Sequence, residues 1–152
     1  RKGKAIVSID YDDAVGFSNG LALVRKGQYY GFVNRKGKAV VPTQLHDAYS
    51  YSEGLAGYRH DTLWGYLDTL GHVAIAPQYK QVKPFSEGLA AATNTEGKWG
   101  YITPTGTWAI EPQYDAADPF TQGQAKVLTK QKKGSTWQTV ELTIDAAGKE
   151  VK

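Results

Sequence analysis

Hydrophobic and polar positions alternate with a period of two over much of this chain. Trp99 and Tyr101 alternate with Gly100 and Ile102, and Trp64 and Tyr66 alternate in the same way with Gly65 and Leu67. Successive side chains on a strand point to opposite faces, so this period predicts strands; a helix would show about 3.6. Pro42, Pro77, Pro84, Pro112 and Pro119 would break helical hairpins of the kind that share this chain's spacing. In one stretch the pattern predicts strands over 89–93, 98–103 and 107–111, separated by turns at 94–97 and 104–106. Turns that short make the three strands an antiparallel meander. A longer loop, 112–123, follows. Tyr114 and Phe120 are expected to pin it to the core, because a loop of that length needs packing of its own.

The meander recurs. Gly3, Gly37, Gly71 and Gly106 are spaced by 34, 34 and 35 residues, and Gly20, Gly54, Gly88 and Gly123 keep the same intervals. Gly31, Gly65 and Gly100 form a third series at 34 and 35. Three series locked to one period establish an internal repeat. The aromatic slots follow it: Phe17, Tyr51, Phe85 and Phe120; Tyr30, Trp64 and Trp99; Phe32, Tyr66 and Tyr101. Equivalent strands are expected at 5–8; at 21–25, 29–34 and 38–41; and at 55–59, 63–68 and 72–76. The last unit departs, with strands over 124–129 and 136–145 flanking a longer turn, 130–135. A divergent terminal repeat has the character of a cap.

The expected fold is therefore all-β: one domain, 1–152, of about four three-stranded meanders, with 124–152 as the divergent cap. Stacked end to end, the tandem repeats would form an elongated twisted solenoid. A propeller-like closed array is the alternative, although three strands per 34 residues is short for a four-stranded blade. The chain opens in mid-repeat at Arg1-Lys2-Gly3-Lys4, which leads us to expect further protein upstream.

The residues 97–102 (Gly-Lys-Trp-Gly-Tyr-Ile), the Pro-Gln-Tyr runs at 77–79 and 112–114, and 85–90 (Phe-Ser-Glu-Gly-Leu-Ala) resemble the bacterial WG repeat, or WG-containing β repeat. Phe85, Gly88, Trp64, Trp99, Gly100 and Tyr101 carry that resemblance as structural positions. It implies a protein of the bacterial envelope or a secreted one, periplasmic, outer-membrane-associated or extracellular, that mediates interactions. It offers no catalytic residue.

Composition adds exclusions. With no cysteine, disulfides, thiolate catalysis and zinc–thiolate sites are absent. A formal charge of +3, without a block of like charges, does not point to nucleic acid. No apolar run approaches the roughly 20 residues of a membrane span. The densest basic run holds Lys130, Lys132 and Lys133, near Lys126; it is expected to be a solvated hairpin tip, with an acidic partner as the alternative.

The polar constellations fail on spacing or by repetition. His46-Asp47 and His60-Asp61 suggest a base or metal ligand, but strand neighbours face opposite ways, so they are expected to be surface histidines. Asp10-Tyr11-Asp12-Asp13 opens like a calcium loop, yet Val15 and Leu21 stand where the loop needs Gly and Glu. Glu53 and Glu87 invite a glycosidase reading. They share one slot with Asn19 and Gln122, and two catalytic acids need two different environments. The glycine pairs Gly31 and Gly37, Gly65 and Gly71, and Gly100 and Gly106 carry five intervening residues, where a phosphate loop has four. Trp64, Trp99, Tyr66 and Tyr101 are expected in the core, with sugar or peptide stacking as the alternative.

Residues that differ between repeats are the better candidates. His46, Tyr49, Tyr58, Arg59 and His60 concentrate in the second repeat, and Tyr and Arg are enriched in interface hot spots. The functional expectation is a non-enzymatic scaffold with a protein partner, needing no cofactor or metal. Carbohydrate or peptidoglycan binding through exposed aromatics such as Tyr49, Tyr58 and Trp108 is the alternative.

Overall fold

The computed structural model describes residues 11–151; the strand expected at 5–8 and the turn at Gly3 lie outside the described residues. The chain divides into two compact units, Arg1–Pro77 and Gln78–Lys152. Among the described residues every regular element is a strand, and no helix is long and apolar enough to cross a membrane.

The first unit holds β1 (Asp13–Ala14), β2 (Leu21–Lys26), β3 (Tyr29–Asn34) and β4 (Ala39–Leu45), hydrogen-bonded in that order. Then come β5 (Asp47–Ala48), β6 (Ala56–His60), β7 (Leu63–Leu67) and β8 (Val73–Tyr79), again in order; the unit boundary falls inside β8. The second unit holds β9 (Ala90–Thr93), β10 (Trp99–Ile102) and β11 (Trp108–Tyr114) in one sheet. A further sheet is built from β12 (Ala116–Ala117), β13 (Gln124–Lys133) and β14 (Thr136–Asp145). Neighbouring strands are antiparallel, so the repeated meander expected from the period of two is present.

The meander has a short fourth partner, drawn from the stretch expected to be loop. Asp13 and Ala14 pair with Arg25 and Val24, Asp47 and Ala48 with Arg59 and Tyr58, and Ala116 and Ala117 with Leu128 and Val127. In the third repeat the Val82–Ala92 bridge does the same work, flanked by Lys83 N–H donating to Ala91 O at 2.9 Å. Two residues are too few to show a period, but their backbone groups need partners once the loop is packed down.

The Pro-Gln-Tyr run also belongs to a strand, not to the loop expected at 112–123. Trp99 pairs with Tyr114 and Tyr101 with Ile110, so two steps on β10 are matched by four on β11. Tyr30–Leu45 and Phe32–Val41 repeat this bulge in the first sheet. Pro42 and Pro112 sit inside the bulges, where a missing N–H breaks no ladder bond. The bulged backbone folds over the glycine of the middle strand. A Cβ on Gly31 would lie 2.5 Å from the Val41 carbonyl oxygen, and one on Gly100 would lie 2.7 Å from Pro112 N. The Trp-Gly pair and the downstream Pro-Gln-Tyr are thus two halves of one contact.

The loop back to the next meander ends in a two-residue turn. Asn19-Gly20, Glu53-Gly54, Glu87-Gly88 and Gln122-Gly123 all have positive φ, near 50 and 80 degrees, as a type I′ turn requires. Ahead of each turn stands an anchoring ring. Tyr51 packs edge-on against Phe32 with centroids 4.7 Å apart, and Phe120 meets Tyr101 at 4.8 Å. Tyr51, Phe85 and Phe120 are all buried. The core of each unit is therefore built from strand aromatics and loop anchors together.

Candidate binding site

The repeat aromatics are not available as platforms. Trp64, Trp99, Tyr66 and Tyr101 are buried, as is Phe85; Gly88 is exposed at its turn. The Tyr101 hydroxyl donates to Asp118 O at 2.6 Å, and burial, with Asp118 nearby, raises its pKa well above the ordinary phenol range. Tyr51 donates to Asp68 O at 2.6 Å and is shifted upward in the same way. Tyr58, expected on an exposed face, is a core residue with 6% exposure: its partner Ala48 lies on the covered side of the short β5 strand. Tyr49 is 38% exposed and stacks on Trp64 at 4.8 Å. Lys83, one repeat on, occupies the equivalent slot with its Nζ 5.1 Å from the Trp99 ring. Trp108 is partly buried, edge-on to Tyr79.

The structure brings His46, Arg59 and His60 together and adds residues the sequence did not single out. An open cavity of about 580 Å³ is lined by Gln28, Tyr29, His46, Arg59, Asp61 and Thr62. It lies where the β2–β3 and β6–β7 turns come side by side. Tyr29, His46 and His60 form a row of rings, with centroids 6.0 and 5.7 Å apart, the two imidazoles nearly parallel. Asp61 has φ 57, which breaks the strand alternation and lets it turn back toward both histidines. Its backbone N–H donates to His46 Nδ1 at 2.7 Å, so Nε2 carries the proton of the neutral ring. Its carboxylate is 3.8 Å from His46 Nδ1 and 3.8 Å from His60 Nε2. Asp47, the sequence neighbour of His46, instead accepts the Ala48 N–H.

Arg59 is less singular than the repeat comparison suggested. It donates to the carbonyls of Asp61 and His46, bracing the turn. Arg25, one repeat earlier, donates to Gly27 O at 2.6 Å and pairs with Asp13 at 2.6 Å. Asp12 accepts the Gly27 N–H at 2.7 Å, so this end of the acidic run is used within the fold; Asp10 lies outside the described residues. Among the described residues no group of three metal-ligating side chains converges. The cavity offers guanidinium, imidazole, amide and hydroxyl donors, one carboxylate acceptor and exposed ring faces. That set suits recognition of a polar ligand. The basic residues Lys130, Lys132 and Lys133 are exposed, but on strand β13 and not in a long turn; the turn is only Gly134 and Ser135.

Tandem antiparallel sheets, joined by identical turns and closed over a glycine by a bulged third strand, define a β-repeat protein. A family model of the WG containing repeat matches residues 1–30, 30–61, 64–99 and 99–132, and the chain belongs to that family. No curated protein matches it.

Proposed function

We propose that this chain is a non-enzymatic repeat scaffold that binds a protein partner in the bacterial cell envelope or outside the cell. The observation that carries the reading is the row Tyr29–His46–His60 beside the open cavity braced by Arg59. Tyr29 is 40% exposed on a strand end, where a core role does not require a ring. Tyr and Arg side chains are enriched among the residues that carry the binding energy of protein interfaces. The solenoid reading belongs to the same proposal. It is supported by turn-to-turn links inside each unit, Asn19 to Gly54 and Glu87 to Gly123, that recur at the repeat interval.

A carbohydrate or peptidoglycan ligand is the second reading, favoured by one observation. The Tyr29 face is flanked by Gln28, Asp61 and Arg59, a donor and acceptor set that suits sugar hydroxyls. A photo-crosslinking side chain at position 29, exposed to envelope extract and separately to purified peptidoglycan, distinguishes the two. A protein adduct that disappears in Arg59→Ala supports the first reading. Adducts with peptidoglycan alone overturn it in favour of the second.

A further inference from the structure

The C-terminal hairpin outgrows its sheet. β12 pairs only with Val127 and Leu128, so beyond them β13 and β14 continue as a bare two-stranded ribbon to the turn at Gly134. Residues 130–139 are all exposed. An isolated ribbon gains little stability of its own in water, so its length calls for another explanation than the core. Lys132 stands opposite Trp137, its Nζ 6.0 Å from the ring centroid. Lys130, two positions along, shares that face, and Lys133, opposite Thr136, lies on the other. No carboxylate occurs between Lys130 and Val140; the next, Glu141, is 4.0 Å from Lys126. Trp137, at 64%, is more exposed than any Tyr, Phe or other Trp among the described residues.

We propose that this ribbon docks end-on to an anionic lipid bilayer. The cations lie on both faces of a protruding tip. A peptide laid along one face would reach one set only, whereas a flat anionic surface met end-on engages both. An exposed indole beside the tip suits the headgroup region, where a ring with one polar N–H is at home. The lysines then sit within the range of the surface potential. With one aromatic and three cations, the contact is weak and steeply salt-dependent.

The test is co-sedimentation of the whole chain with vesicles of equal parts phosphatidylglycerol and phosphatidylcholine, against phosphatidylcholine alone. Binding is expected to the anionic vesicles and to be lost at high salt. Each Lys→Gln change at 130, 132 or 133 should weaken it about fivefold. Brominated lipid should quench fluorescence in the unsubstituted chain and not in Trp137→Ala. These side chains are exposed, so thermal unfolding should be unchanged in every variant. Absence of binding, equal binding to both vesicles, or indifference to the three lysines overturns the proposal. Tighter binding to polyglutamate than to anionic vesicles overturns it too, and assigns the ribbon to an acidic protein partner.

Discussion

The Glu87 carboxylate accepts the Gly123 backbone N–H at 2.8 Å, joining one turn to the same turn a repeat later. Its other oxygen accepts the Gln122 N–H at 2.6 Å. Asn19 makes the shorter version, accepting the Gly54 N–H at 2.9 Å. The hydroxyls beside them form a second rail: Ser18 donates to Tyr51 O at 2.6 Å and Ser86 to Phe120 O at 2.7 Å. Glu87 holds φ 55, an unfavourable position for a residue with a Cβ. The two hydrogen bonds offset that cost.

Glu87→Ala keeps the strained backbone and removes both bonds. It should lower unfolding free energy by about 1–2 kcal/mol. Glu87→Asn, which tolerates the conformation and keeps an acceptor, should recover part of the loss. Urea unfolding with an unchanged m-value is the measurement. A null effect of the Ala variant would show that the rail is incidental.

Gly100→Ala puts a Cβ against the bulge backbone at Pro112, with no flexible side chain to move aside. The expected cost is about 3 kcal/mol or more, through overpacking of the backbone. Gly100 has an ordinary φ, so that cost comes from the close approach. Gly97→Ala has open space and only the φ penalty, and should cost about 1 kcal/mol. Comparable losses at the two positions, measured by chemical denaturation, would contradict the closed-bulge account.

Burial raises the phenol pKa of Tyr51 and Tyr101 in the folded chain. Their contribution is complete below the unfolded value of about 10 and is lost as pH rises through the folded values. Stability should therefore fall above roughly pH 10. Tyr51→Phe and Tyr101→Phe should each flatten that fall. Each should also cost about 1 kcal/mol at neutral pH, from the missing hydrogen bond to a carbonyl. Thermal unfolding across an alkaline series measures both.

Lys98 Nζ lies 2.7 Å from Asp115 Oδ1, and this hydrogen bond holds the Asp115 carboxyl below its usual range. Its stabilisation is present above the unfolded pKa of about 4 and is lost as pH falls through the lower folded value. Because Lys98 is about half exposed, Lys98→Met should cost only about 0.5–1 kcal/mol at neutral pH and nothing in strong acid. An equal cost at both extremes would assign the loss to side-chain packing.

The aromatic slots and the turn glycines were legible because every repeat spells them again, and a core needs the same faces each time. The Asx turns were legible in principle. Asn34, whose Oδ1 accepts the N–H groups of Lys36 and Lys38, stands three residues before Gly37, as Asp68 stands before Gly71. Tyr29 and Asp61 were not legible as site residues. They lie 32 positions apart, and only the alignment of two adjacent hairpin turns puts them around one cavity. Tyr58 is buried although it differs from its counterparts in the other repeats, because a difference between repeats does not specify which way a side chain points.

The amino-acid sequence by itself determined the period, the strand content and the family, since all three rest on spacing along the chain. Tertiary structure decided why Gly100 must lack a side chain, that Glu87 is a cross-repeat link, and that His46 answers to Asp61 instead of Asp47. Each of these depends on where two backbones lie relative to one another. That distance is set by a bulge or a left-handed turn, features one or two residues long that leave no periodic trace.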